Sequence, residues 1–259
     1  MNKNTKFLFL TGTATLALTT MLANPSGDKR NGTDIFHLSL RATMSATGIE
    51  PSAGGKLIAA QNEQGKANNQ KMDLTISGLG TNTTYELLAG INGNTNFTDV
   101  TPLTTDAGGN AAMHYRSLGI GKGHGHGGGL GHGANPLPSV LNPMSQVQEF
   151  TVINSSNQTV LTVDLTTPNQ LTYLVKRKLT NGEVNGALRL KATTIHTQFR
   201  LTATGLLATN NYLLALNGGV VQTNTADASG KLVITSAPTP ANILDLGSVE
   251  LWTARATLC

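Results

Sequence analysis

KMDLTISGLGTNTTYELLAGING, Lys71 to Gly93, and QFRLTATGLLATNNYLLALNGG, Gln198 to Gly219, are two versions of one stretch, and their comparison decides the fold. The register equates Leu74 with Leu201, Gly78 with Gly205, Leu79 with Leu206 and Tyr85 with Tyr212. Flanking segments match in the same order: GKLIAA from Gly55 with GALRLK from Gly186, and TDAGGNAAMHY from Thr105 with ADASGKLVITS from Ala226. Ordered matches of this kind indicate an internal repeat, which is sought before any other feature.

Within each copy the apolar residues recur at every second position, as in Met72, Leu74, Ile76 and again in Leu232, Ile234. That is the period of a strand with one buried face. Asp106-Ala107-Gly108-Gly109 and Asp227-Ala228-Ser229-Gly230 read as tight turns, with Asp accepting local backbone hydrogen bonds and Gly supplying positive φ. One carboxylate per turn is too few for calcium.

The pieces GLGTNTTY and GLLATNNY resemble the segment of fibronectin type III and related immunoglobulin-like sandwiches in which a leucine and a short turn precede a tyrosine. That resemblance implies a tyrosine corner, with the hydroxyls of Tyr85 and Tyr212 bonded back to the backbone. It implies an all-β protein of two tandem immunoglobulin-like antiparallel β-sandwich domains after an N-terminal signal peptide.

The expected organisation is a signal peptide over 1–23, a short linker over 24–32, a first sandwich over 33–166 and a second over 167–259. Lys3 and Lys6 precede a largely apolar run from Phe7 to Leu22, and Ala23 is a suitable cleavage position. The run is short and threonine-interrupted for a membrane span, and no later segment of the mature chain is apolar enough for one. The expected location is therefore secreted or cell-surface, the periplasm included. The first domain closes on VQEFTVINSSNQTVLTVDL, two strand-like runs around a turn, whereas the second closes on SVELWTARATLC without a returning strand. An incomplete edge of that kind is a candidate for self-association through the C-terminal strand. A shorter but complete domain fits equally.

The first copy carries an insertion over 119–139 that contains GHGHGGGLGHG, Gly123 to Gly133. Nine of the fifteen residues from Gly119 to Gly133 are glycine, so ordering this loop costs much entropy and buries little. His124, His126 and His132 are candidate ligands for copper, zinc or nickel, since imidazole suits all three ions and glycine lets the chain return on itself. His126-Gly127-Gly128-Gly129 also resembles the copper-binding repeats of prion proteins, which implies imidazole and backbone amides around the ion. His114, at a strand end beside the loop, is a candidate fourth ligand or an ordinary strand histidine. The plainer reading of the insertion is a passive loop.

Charged residues are only 12% of the 259, and two lysines but no acid lie in residues 1–23, so the formal charge falls from +4 to +2 on their removal. Lys176, Arg177 and Lys178 form the one basic triplet, and in a strand they alternate between faces, which makes a poor nucleic-acid stripe. The single cysteine, Cys259, leaves no internal disulfide. There is no Gly-x-Ser-x-Gly elbow and no phosphate loop. The expected function is a non-enzymatic surface, matrix or adhesion role, with an extracellular polymer or cell-surface partner and no nucleic acid. The alternative is a secreted metal-dependent hydrolase or oxidase that uses the histidine loop.

Overall fold

The structure, a computed structural model, describes residues 18–21, 34–64, 67–91, 97–117, 134–181 and 183–254. It is mostly β-sheet, with three single-turn 3₁₀ segments and no longer helix among the described residues. In chain order the first strands are β1 (Leu18–Met21), β2 (Ile35–Ala46), β3 (Gly54–Gln64), β4 (Ala67–Ser77), β5 (Thr84–Ile91), β6 (Thr98–Thr104), β7 (Ala111–Arg116), β8 (Asn135–Pro136), β9 (Val147–Ile153) and β10 (Thr159–Asp164). The rest are β11 (Gln170–Asn181), β12 (Val184–Thr193), β13 (His196–Thr204), β14 (Asn211–Leu216), β15 (Gly219–Thr225), β16 (Leu232–Ile234) and β17 (Ser248–Thr253). β1 lies inside the segment that the sequence presents as a leader.

Between β2 and β10 the strands pair as β2-β3-β4-β7 and as β6-β5-β9-β10; between β11 and β17 they pair as β11-β12-β13-β16 and as β15-β14-β17. The two sets join through β2 and β11, antiparallel neighbours from Ile35–Lys176 to Arg41–Gln170. Leu38 and Tyr173 face each other at the centre of this seam. A continuous antiparallel run, β7-β4-β3-β2-β11-β12-β13-β16, therefore spans both sets. The last two residues of β2 leave that seam and pair with β10, which curls the first set toward closure.

Alternation along these strands follows from one dry face. On β2, Phe36, Leu38, Leu40, Ala42 and Met44 are buried while the residues between them are not. Tyr173, Val175 and Leu179 continue that face on β11, Leu188 and Leu190 on β12, and Phe199 and Leu201 on β13. The ring of Tyr173 meets Phe36 edge to face, with centroids 5.6 Å apart at 87°.

Turn glycines fix the ends of the strands. At Gly109, φ is +73°, and a Cβ there would lie 2.1 Å from the carbonyl oxygen of Leu79; at Gly230, φ is +72° and the distance to Leu206 O is 2.2 Å. Both glycines also accept through their carbonyls from the facing N–H, Leu79 to Gly109 at 3.1 Å and Leu206 to Gly230 at 3.0 Å. Gly109→Ala or Gly230→Ala is expected to cost about 3 kcal/mol, since positive φ and a backbone collision act together. Denaturant unfolding of each variant checks this, and an unchanged midpoint contradicts it.

Candidate functional site

Tyr85 and Tyr212 are both buried, and each hydroxyl accepts from the backbone N–H five residues upstream, Gly80 or Leu207, at 2.9 Å. Tyr85 also donates to Glu50 Oε1 at 2.7 Å. Burial and that carboxylate raise the Tyr85 phenol above its ordinary value. These side chains are occupied in holding turns and are not presented to a ligand.

Asp106 Oδ1 accepts from the N–H groups of Gly108 at 2.8 Å and Asn110 at 2.9 Å. Asp227 Oδ1 accepts from those of Ser229 and Lys231 at 2.8 and 2.9 Å, and from the Ser229 hydroxyl at 2.6 Å. The bonds from Asn110 and Gly108 lower the Asp106 pKa; the Ser229 hydroxyl and the Lys231 amide lower that of Asp227. A carboxyl with a depressed folded pKa stabilises the fold fully above its unfolded pKa of about 4, and that stability is lost as pH falls through the folded value. Thermal stability is expected to hold from neutrality to about pH 4 and to fall below it, with a shallower acid slope in Asp227→Asn. Equal acid slopes in the two proteins contradict this.

The candidate ligands His124, His126 and His132 lie outside the described residues, as does Cys259. His114 on β7 is described: it is exposed, with Nδ1 3.0 Å from Asp73 Oδ1. Arg116 donates to the same carboxylate, Nη1 to Oδ1 at 2.8 Å and Nη2 to Oδ2 at 3.3 Å. Burial pushes the Asp73 carboxyl up, but hydrogen bonds from Arg116 and His114 and the charges of Arg116 and Lys71 outweigh it and hold it low. His114 Nδ1 and Arg116 thus share the Asp73 carboxylate. Among the described residues no three His, Cys, Asp or Glu side chains converge as metal ligands.

The chemistry that sequence reading missed lies on the solvent face of the continuous sheet. Buried and solvent-facing residues alternate, so register gathers the outward positions of neighbouring strands into rows. Lys176 on β11 lies directly opposite Arg189 on β12, which lies directly opposite Arg200 on β13. Lys178 and Lys191, each two residues along from that row, complete a five-cation patch, and all five are exposed. Arg41, Lys56, Lys71 and Arg116 extend the same face across β2, β3, β4 and β7. Every described Lys or Arg except Arg177 and Lys231 stands there, and among the described strand residues Asp73 is the only carboxylate on it. The exposed acids of the other strands, Glu86, Asp99 and Asp164, and the half-buried Glu149 and Glu250, belong to the opposite sheets.

Like charges directly opposite on a sheet destabilise it. The Lys176–Arg189–Arg200 row has two such pairs in succession, and none of the five cations makes an ion pair among the described residues. Adjacent strands lie about 4.8 Å apart and alternate residues about 6.6 Å apart. The patch is therefore a two-dimensional grid of cations at roughly those spacings. Arginine presents a planar donor fork suited to carboxylate or sulfate, and lysine adds mobile point charges.

Beneath the patch, Arg177 points inward and is buried, with Nη1 3.8 Å from Asp34 Oδ2 and Nη2 3.9 Å from the buried Glu63 Oε2. Glu63 also accepts from Gln61 Nε2 at 2.7 Å. Gln61 and Gln70 hold the segment that follows the histidine insertion, accepting from the N–H of Ser145 at 2.9 Å and of Met144 at 2.7 Å. A cleft of about 920 Å³ opens beside β7, lined by Lys56, Thr75, Asp106 and Asn110 among others. Its one carboxylate is the turn-bound Asp106, so it offers no free acid or base pair. Compared with protein-family models, curated proteins and solved structures, the chain matches none.

Proposed function

We propose that this is a non-enzymatic extracellular or cell-surface protein that attaches, through the solvent face of β11, β12 and β13, to an acidic polysaccharide. The observation that carries the reading is the row Lys176–Arg189–Arg200, flanked by Lys178 and Lys191 and without an ion-pair partner among the described residues. A sheet that keeps like charges in direct opposition gives up stability at that place, and a polyanion restores it by supplying the missing countercharge.

Polysaccharide is favoured over nucleic acid by what surrounds the cations. Sheet faces that bind single strands offer aromatic rings on which bases stack. Here the described Tyr, Phe and Trp residues of the continuous sheet, Phe36, Tyr115, Tyr173 and Phe199, are buried on its other side. The outward neighbours of the patch include Thr172, Gln198 and Asn185, which suit sugar hydroxyls, beside the apolar Ile35, Leu174 and Ala187.

In this reading the two strand sets are tandem copies of one immunoglobulin-like sandwich unit. Support comes from the shared pairing order, and from β3-β4-β7 opposed to β6-β5-β9-β10, the strand grouping of such sandwiches with β2 added in front. The tyrosine hydrogen bonds supply a weaker link, because Tyr85 and Tyr212 begin β5 and β14, the third strand of the grouping rather than the sixth.

Titration with polygalacturonate, neutral dextran and duplex DNA at several salt concentrations tests the function. Binding to polygalacturonate that weakens steeply with salt is expected, with none to dextran. Failure to bind polygalacturonate at low salt overturns the reading; tighter binding of DNA at equal salt transfers the face to nucleic acid.

A further inference from the structure

Among the described residues the C-terminal strand set has, within its own stretch of chain, no counterpart to β10. We propose that Leu18–Met21 is that counterpart: the N-terminal strand closes the C-terminal set in the same molecule and is retained in the folded protein. This rests on backbone register and is independent of the polysaccharide reading.

Register carries the inference. β10 pairs antiparallel with β9 so that Leu161, Thr162, Val163 and Asp164 face Val152, Thr151, Phe150 and Glu149. β1 pairs antiparallel with β17 so that Leu18, Thr19, Thr20 and Met21 face Leu251, Glu250, Val249 and Ser248. β9 and β17 are equivalent, because Leu87 faces Val152 where Leu214, its repeat partner, faces Leu251. The two added strands therefore occupy the same four positions. β10 also reaches β2, the first strand of its set, and β1 lies beside β11, the first strand of the other.

The sequences agree at those positions. Leu18-Thr19-Thr20-Met21-Leu22 aligns with Leu161-Thr162-Val163-Asp164-Leu165, sharing Leu, Thr and the final Leu. Among the described strands, the one that completes the second copy thus comes from the N-terminal side. Pairing of β1 satisfies the outer edge of β17, which would otherwise present bare N–H and C=O groups to another chain. Loss of residues 1–23 would uncover that edge, so closure requires that any processing of the N-terminus fall before Leu18.

The test is disulfide trapping in the full chain with Cys259→Ser, combining Thr19→Cys and Glu250→Cys, which face each other in register and so stand at a Cα separation a disulfide can bridge. At micromolar protein the internal bond is expected to exceed the intermolecular one by about 10³, because a tethered strand has a millimolar effective concentration. Absence of a bond, or bonds only between two chains, overturns closure in the same molecule. Hydrogen exchange of the unsubstituted chain guards against a variant that fails to fold. Alternate amides of Ser248–Thr253 that face β1 should be protected, and exchange at the rate of a free edge overturns the proposal.

Discussion

Replacing Lys176, Arg189 and Arg200 together by glutamine is expected to lower affinity for an acidic polysaccharide about 100-fold, if each exposed ionic contact contributes about 1 kcal/mol. The three side chains form one row across β11, β12 and β13, so they meet one stretch of polymer together. The same change should not weaken the fold. Removing Arg189 alone eliminates both like-charge oppositions, and Arg189→Gln should stabilise the protein by roughly 0.5 kcal/mol while weakening binding. Isothermal titration and urea unfolding on the same samples give both quantities. Lost stability together with unchanged affinity would show that the row is structural.

A second large effect is expected beneath the patch. Arg177→Ala leaves the buried Glu63 and the neighbouring Asp34 without the cation that faces them. Breaking a buried pair by removing one partner costs about 3–5 kcal/mol, and the loss here should fall at the low end, because the contacts are 3.8 and 3.9 Å long and Arg177 Nε and Nη2 make no hydrogen bond among the described residues. Arg177→Met combined with Glu63→Gln should recover much of that loss, because the volume is kept and both charges go. A double variant as unstable as Arg177→Ala would contradict this account, because neither the lost volume nor the buried charges of Arg177 and Glu63 remain in it. Neither change touches the outward cations, so polysaccharide affinity per folded molecule should stay near that of the parent.

Strands and turns were legible because each is a local statement. Met72, Leu74 and Ile76 show the period of two by themselves, and Asp106 with Gly109 shows its turn within four residues. The cationic face was not legible, because Lys176, Arg189 and Arg200 come together only through register, and register is set by long-range pairing. Reading Lys176–Arg177–Lys178 as a triplet gave alternation correctly, with the lysines outward and Arg177 buried. It then judged one strand by itself, although a sheet adds the outward residues of its neighbours. Tallying charge by strand phase, with Arg189 and Lys191 in one phase of β12, would have pointed to the patch. The likeness of LTTML to LTVDL was also in plain view, but its place inside an apolar N-terminal run favoured the reading as a leader.

The most direct measurement is an amide chemical-shift map of the protein during titration with a short oligogalacturonate. The largest changes should fall on the outward residues of β11, β12 and β13 around Lys176, Arg189 and Arg200, and should vanish in high salt. Changes confined to the sheets that carry Glu86, Glu149 and Glu250, or none anywhere at low salt, would contradict the basic face as the functional surface.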